Sequence, residues 1–427
     1  MYDQDGAKLR SVAWSELFPW LALFRSFRMA LDVRVLLPAA AGVLLAVAGW
    51  ALLGQAFSPA EEPVAWMAEY QETPFRAIGA AVPDRPTLAP WADRWGPGPR
   101  LRADPAAPTA WHAAEPVFGS WSHLTRPLME MFRPEASPSA VTAAILCGLW
   151  GLAVWSLFGG MITRVAVVQF AAEERVGFMP ALRFAAAKWP SYFAAPLLPI
   201  AGIVLCAAGV FVPSLLANFD FGLVIVGILW PIALVLGFIM ALLLLGLLFG
   251  WPLMAATISA EGSDSFDALS RSYAYVFQRP LHYLFYAVVA AVLGALGWLL
   301  VANFTAGIVT MTHWSASWAV GVERIGALGG RPEELGEIGQ VGSGLVAFWV
   351  GGVKLLAIGF LYGYFFTAAA CIYLLLRRNV DATEMDEVYQ DADASEPTYG
   401  LPPIRYDDAG APEVGEEKPP EAPAEPQ

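Results

Sequence analysis

Residues 222–257 read GLVIVGILWPIALVLGFIMALLLLGLLFGWPLMAAT, thirty-six positions without one charged side chain. At 1.5 Å per residue a helix of this length reaches about 54 Å, whereas roughly 20 apolar residues suffice to cross the hydrocarbon of a bilayer. No soluble fold offers such a run a covering surface, so lipid must. Pro231 and Pro252 leave two readings open, a single tilted or kinked helix or two shorter segments.

Five further runs of the same kind lie at 35–57, 139–171, 190–217, 280–303 and 344–376, each bounded by charge, proline or aromatic residues. The whole chain, 427 residues with 57% hydrophobic and 15% charged, carries more apolar surface than a soluble protein of its size can hide. The expected fold is therefore an all-α polytopic membrane protein with six transmembrane helices. Arg25, Arg28, Arg34, Arg164, Arg175, Arg183, Lys188, Arg271, Arg279, Arg377 and Arg378 fall at one end of these runs. By the positive-inside rule that end is cytoplasmic, which puts both termini on the cytoplasmic side of the membrane. The seven arginines of 58–138 are discounted, because loops of that length translocate whatever their charge. A leader of about 34 residues with its own amphipathic segment makes the first run an uncleaved anchor rather than a secretory signal.

The net charge of −13 is concentrated, since residues 381–427 hold 14 acidic side chains against Arg405 and Lys418. Three domains follow: a cytoplasmic N-terminus at 1–34, a membrane domain at 35–378, and a disordered, acidic, proline-rich tail at 379–427. Within the membrane domain lie an extracytoplasmic Trp/Pro-rich cap at 58–138 and an outer loop at 304–343. The tail repels anionic lipid and is open to a basic cytoplasmic partner. Cys147, Cys206 and Cys371 all sit inside apolar runs, where each packs as a small hydrophobe.

Three basic-side segments repeat one pattern. Trp20, Phe24, Phe27 and Leu31 form a stripe at helical spacing; Phe178, Leu182, Ala185 and Trp189 form a second; Phe266, Leu269, Tyr273 and Phe277 form a third with a one-residue shift. Five positions after each stripe begins stands an arginine, Arg25, Arg183 or Arg271, and beyond each stripe comes a proline, Pro38, Pro190 or Pro280, at or just inside the next span. Glu261-Gly262 is suited to ending the preceding helix, and Ser263 or Asp264 to capping the next. The reading is three units, 14–171, 172–257 and 258–378, each an interfacial amphipathic helix followed by a membrane hairpin. A short helix with an aromatic stripe and basic flanks partitions to the headgroup region. In the alternative, the short helices pack on one another as a cytoplasmic core.

Residues 261–286, EGSDSFDALSRSYAYVFQRPLHYLFY, resemble bacterial multi-pass membrane proteins of unknown function and, more distantly, the membrane domains attached to some glycerophosphodiester phosphodiesterases. The resemblance implies a helical membrane module of a bacterial plasma (inner) membrane with a cytoplasmic amphipathic linker. It brings no catalytic residues, and the phosphodiesterase catalytic domain has no counterpart in this sequence.

Few residues point to chemistry. Lys354 lies about ten residues into the sixth run and is the main candidate for solute or proton handling, with snorkelling to the interface as the plain alternative. Asp220 reads as a turn residue that would gain a role by pairing with Lys354, and Arg164 as a headgroup anchor or a member of a polar pathway. Gly159-Gly160 and Gly351-Gly352 read as points of close helix approach. The cap, with Trp66, Trp91, Trp95, Trp111 and Trp121, reads as an ordered, irregular layer on the outer interface that offers a partner-binding surface. His112, His123 and His313 fit no metal-ligand spacing. No paired intramembrane carboxylates, phosphate-cradling glycine loop or nucleophile elbow occurs. The expectation is a non-enzymatic protein without cofactor, metal or nucleic-acid partner, which organises membrane lipids or other proteins. Its interface residues are Trp20, Arg25, Arg183, Trp189, Arg271 and Phe277; a transporter using Lys354 is the competing reading.

Overall fold

The computed structural model describes residues 18–57, 82, 115–131, 137–172, 175–330, 335–389, 404–406 and 412–414. His112 and the tryptophans at 66, 91, 95 and 111 lie outside these residues. Among them a 3-10 turn at Pro19–Ala22 leads into α1 (Leu23–Ala30) and α2 (Val33–Phe57). Then come α3 (Glu115–Met131), α4 (Pro138–Ala171), α5 (Phe178–Ala187) and α6 (Trp189–Ser214). The chain continues with α7 (Asp220–Glu261), α8 (Ser265–Gln278), α9 (Pro280–Val320), α10 (Val322–Gly330) and α11 (Glu337–Asp381). Six of these, α2, α4, α6, α7, α9 and α11, are long and apolar enough to span a membrane. The protein is an all-α polytopic membrane protein.

Residues 220–261 form one helix, with both prolines inside it. Pro252 has no amide proton, so it cannot serve the Leu248 carbonyl one turn back; the Trp121 indole of α3 donates to that oxygen instead, at 3.3 Å. Where a loop with short helices was expected at 304–343, α9 runs on to Val320, α10 follows, and α11 begins at Glu337. The apolar stretches understated these helices because Thr, Ser, Gly and Trp continue a helix without raising hydropathy.

The helix–proline–span unit recurs three times: α1 before α2, α5 before α6 and α8 before α9, with Pro190 and Pro280 in the first turn of their spans and Pro38 one turn inside α2. Gly262, at φ +62°, ends α7 in the left-handed conformation that costs glycine least. The Asp264 side chain then caps α8, accepting from the Phe266 and Asp267 amides at 2.9 and 3.0 Å.

Packing closes the three units into a ring. Each short helix lies against the last span of the preceding unit: α5 on α4, α8 on α7 and, across the chain's ends, α1 on α11. The three closing spans α4, α7 and α11 also pack on one another. A glycine stands where each next unit arrives; a Cβ on Gly160, Gly246 or Gly363 would meet Tyr192, Tyr273 or Val35 at 2.8, 2.2 and 2.8 Å. A Cβ on Gly159 would likewise meet Phe366 at 2.7 Å, but Gly351 and Gly352, expected to admit a neighbouring helix, face open space.

Burial divides the long spans. In α11 every residue from Ala357 to Arg377 except Phe365 is buried, whereas Ile338, Val341, Leu345, Phe348 and Trp349 are exposed. The same change occurs along α7, whose buried positions fall mainly between Gly246 and Ala260. At 45 residues α11 is about 68 Å long, roughly twice the hydrocarbon thickness. Lipid covers the exposed apolar half, and protein covers the half that meets the short helices.

Beyond Asp381 the chain stays packed to Val388. Arg377 donates to the Glu384 carbonyl at 3.1 Å and to the Glu387 carbonyl, and Met385 and Val388 pack on the core. The described residues from Tyr389 onward belong to a separate unit. In it Ile404–Tyr406 pairs antiparallel with Pro412–Val414.

Candidate functional site: a polar seam at the basic end

The last turns of α7 and α11 carry a connected set of polar side chains. Both helices end among the short helices, so their terminal side chains are enclosed by α4, α6 and α8 instead of reaching lipid. Ser259 is the first node: its hydroxyl lies 2.7 Å from Thr163 Oγ1 and 2.8 Å from Tyr192 Oη, and its carbonyl accepts from Arg164 at 2.8 Å. Arg164 is only 6% exposed, with its guanidinium 4.1 Å from the centre of the Phe184 ring. It is a bundle-interior residue rather than a headgroup anchor, because α5 folds over it.

Glu261, two residues on, is the second node. One carboxylate oxygen accepts from Tyr373 at 2.6 Å and from Arg271 at 2.9 Å, with Arg377 at 3.9 Å. Asp381 accepts from Tyr275 and lies 3.7 Å from Arg271; Asn379 donates to Tyr286 Oη at 3.1 Å. Burial and the neighbouring Asp381 both push the Tyr275 phenol well above its ordinary value. At neutral pH it stays protonated and donates to Asp381. Two carboxylates against two arginines, with phenols as donors, balance the charge within the seam. Such an arrangement suits a junction that joins α7, α8, α9 and α11.

The expected interface residues divide between surface and interior. Arg183 and Phe277 are exposed, and Phe277 packs at 5.9 Å on Tyr273. Trp20 is partly buried, edge-on to Phe285 at 6.4 Å. Arg25 donates to the Gln169 carbonyl at 3.1 Å and lies over Phe170. The Trp189 indole donates to the Ala153 carbonyl at 3.0 Å. Arg271 is half exposed and bound to Glu261. Asp220 is exposed at the start of α7, and none of the described ion pairs joins it to Lys354, which is partly buried three residues before the buried half of α11 begins. Among the described residues no group of three His, Cys, Asp or Glu side chains is placed to hold a metal.

Sequence reasoning missed Tyr192, Ser259 and Tyr373 and read Glu261 only as a helix-ending residue. The available signal was a lone carboxylate closing a run of forty uncharged positions, at the level where Arg377 closes another. A second miss was α3, which lodges in the bundle. Its His123 meets Tyr362 Oη at 2.8 Å through Nδ1, and its ring packs on Trp50 at 4.7 Å.

Compared with protein-family profiles, with curated proteins and with solved structures, the chain matches none.

Proposed function

We propose that this protein is a non-enzymatic module of the bacterial inner membrane, with both termini cytoplasmic, that organises anionic lipid and partner proteins at its basic end. The observation that carries this reading is the ring of short helices, which pairs exposed apolar side chains with guanidinium groups in each unit. On α1 and its C-cap these are Phe24 and Leu31 with Arg28; on α5, Phe178 and Met179 with Arg183; at the end of α8 and just beyond it, Phe277 and Leu281 with Arg279. Apolar groups beside arginines suit the boundary between acyl chains and phosphates. The net negative tail supplies a surface for a basic partner. The polar seam supports the same reading, since its charges are already matched.

The test is purification in mild detergent with quantitation of co-purifying phospholipid and protein. Phosphatidylglycerol is expected to be enriched over its share of the source membrane, and Arg28→Gln, Arg183→Gln and Arg279→Gln together should remove most of that enrichment without lowering the melting temperature. Recovery of a bare monomer with neither lipid enrichment nor partner ends the proposal.

A transporter is the second reading, favoured by the place of Lys354 where exposed and buried halves of α11 meet. Proteoliposome flux abolished by Lys354→Met would support it; flux that the substitution leaves unchanged would dismiss a role for that lysine.

A further inference from the structure

We propose that the junction between α7 and α9 is a lipid-binding alcove, in which one anionic phospholipid sets its headgroup at Arg279 and His282 and lays an acyl chain against α7. The proposal rests on the reading of the basic end as a lipid-organising surface and narrows that surface to one seat.

The ring has three junctions between successive units, and they are not equivalent. Where the first unit meets the second, α4 packs on α6; where the third meets the first, α11 packs on α2. Where the second meets the third, α7 and α9 share no packed stretch among the described residues. Tyr283 joins them, its hydroxyl donating to the Phe249 carbonyl at 2.7 Å. From α8, Tyr273 donates in the same way to the Leu243 carbonyl at 2.6 Å. Two phenols thus hold α7 from its two neighbours in the third unit, with their polar atoms satisfied by its backbone.

Beside these phenols the surface is apolar and uncovered. Phe238, Leu242, Leu245 and Phe249 follow one another at helical spacing on one face of α7, and all four are exposed. On α9, Ala287 and Ala291 stand one and two turns beyond Tyr283, too short to fill the space, and Leu284 and Val288 beside them are exposed. Lipid tails are as apolar as leucine, so no hydrophobic force draws a helix into such a space, and an acyl chain fills it equally well. The Tyr283 bond sets Phe249 level with the first turn of α9. From Phe249 to Phe238 the stripe runs about 16 Å at 1.5 Å per residue, which is about half of the roughly 30 Å hydrocarbon layer, the depth of one leaflet.

Charge at the head of the stripe selects the occupant. Each unit places a cation between its short helix and its first span, and in two units that cation is bound by protein. Arg34 donates to the Val176 carbonyl at 3.0 Å, and Lys188 donates to the Gly262 carbonyl. At the third corner no described hydrogen bond or ion pair engages the Arg279 side chain, which is exposed together with His282. A guanidinium at the membrane boundary, with an apolar groove one leaflet deep beside it, matches a phosphodiester that carries an acyl chain. An apolar partner helix would meet the groove but leave the guanidinium without an anion.

Photolabelling of the full-length protein in bilayer nanodiscs tests the proposal, using phosphatidylglycerol or phosphatidylcholine with the same diazirine-bearing acyl chain and mass spectrometry of the labelled peptides. Phosphatidylglycerol should label 238–249 and 284–291 at least roughly fivefold more than phosphatidylcholine does, the factor for one cation at an anionic headgroup. Arg279→Gln with His282→Gln should bring the two lipids to equal labelling there, while labelling at 36–43 and 150–157, beside the closed junctions, stays unchanged. Equal labelling of the native protein by both lipids overturns the proposal, and so does a phosphatidylglycerol preference that survives the double substitution or is shared equally by the closed junctions. Absence of lipid label at 238–249 also overturns it, because protein then fills the space. If phosphatidylglycerol is still enriched on purification in these cases, the alcove alone has failed; if that enrichment is missing too, the lipid-organising reading has failed with it.

Discussion

The two halves of α11 are chemically alike and physically opposite. Residues 338–356 and 357–377 are both apolar and helical, but the first half faces outward with Ile338 90% and Trp349 71% exposed, while the second is enclosed by other helices almost without interruption. Lipid tails and protein interiors are equally apolar, so hydropathy does not separate the two. What separates them is the partner: the buried half meets α1, α2, α4, α7 and α8, which exist as neighbours only because the three units close on one another. The lesson is that a long apolar helix records its solvent in its contacts and not in its composition.

The sharpest way to break this comparison is one aromatic truncation in each half. Phe366→Ala removes a 1% exposed ring stacked at 5.4 Å on Trp155 and should cost about 3–5 kcal/mol; Phe348→Ala, in the exposed half, should cost less than about 0.5 kcal/mol. Thermal unfolding in one detergent checks both, and similar losses would mean the halves are not distinct. Next in size is Glu261→Ala, which takes the carboxylate from Tyr373, Arg271 and the buried Arg377. A loss of about 3 kcal/mol is expected, the figure for a buried pair, reduced because Arg271 is half exposed. A loss no larger than that of Asp267→Ala on the exposed face of α8 would show the seam to be decorative.

The junction between the halves has its own pH signature. His123 has a folded-state value of about 4 against an ordinary 6.5, so below 6.5 the unfolded chain takes up a proton that the folded one refuses. Its stability contribution is whole above pH 6.5 and is lost as pH falls from there towards 4, about 3 kcal/mol at most and less where solvent screens the ring. His123→Gln should flatten this part of the stability profile. Asp32 acts lower, because hydrogen bonds from Arg34 hold its carboxyl below the usual value; what it contributes is present above about pH 4 and lost below it. The smallest effect belongs to the Asp264 cap, where Asp264→Ala should cost about 1 kcal/mol.

Local features were legible in the sequence for a local reason. A charge-free run, a proline at the head of a span, a glycine at a helix end and an aromatic stripe at helical spacing are each readable within a few turns. Arg164 and Arg183 illustrate where this stopped: both are arginines near the basic end of a span, yet one is enclosed under Phe184 and the other is in the open. Their difference depends on where α5 lies, which no spacing records. The role of His123 was equally hidden, since a histidine in a Trp/Pro-rich loop carries no mark of the tyrosine 239 positions away that meets it.

By itself the sequence determined the membrane class, the six spans and the three short helices, because the cost of exposing an apolar segment to water is paid residue by residue and can be summed along the chain. Only the tertiary structure decided which half of each long helix meets lipid, that the first unit closes on the third, that α3 enters the bundle and that Glu261 gathers two arginines and a tyrosine. These depend chiefly on residues distant in the chain, such as Tyr373 and Glu261, 112 positions apart, and a bilayer interior places no demand on sequence that distinguishes one apolar neighbour from another.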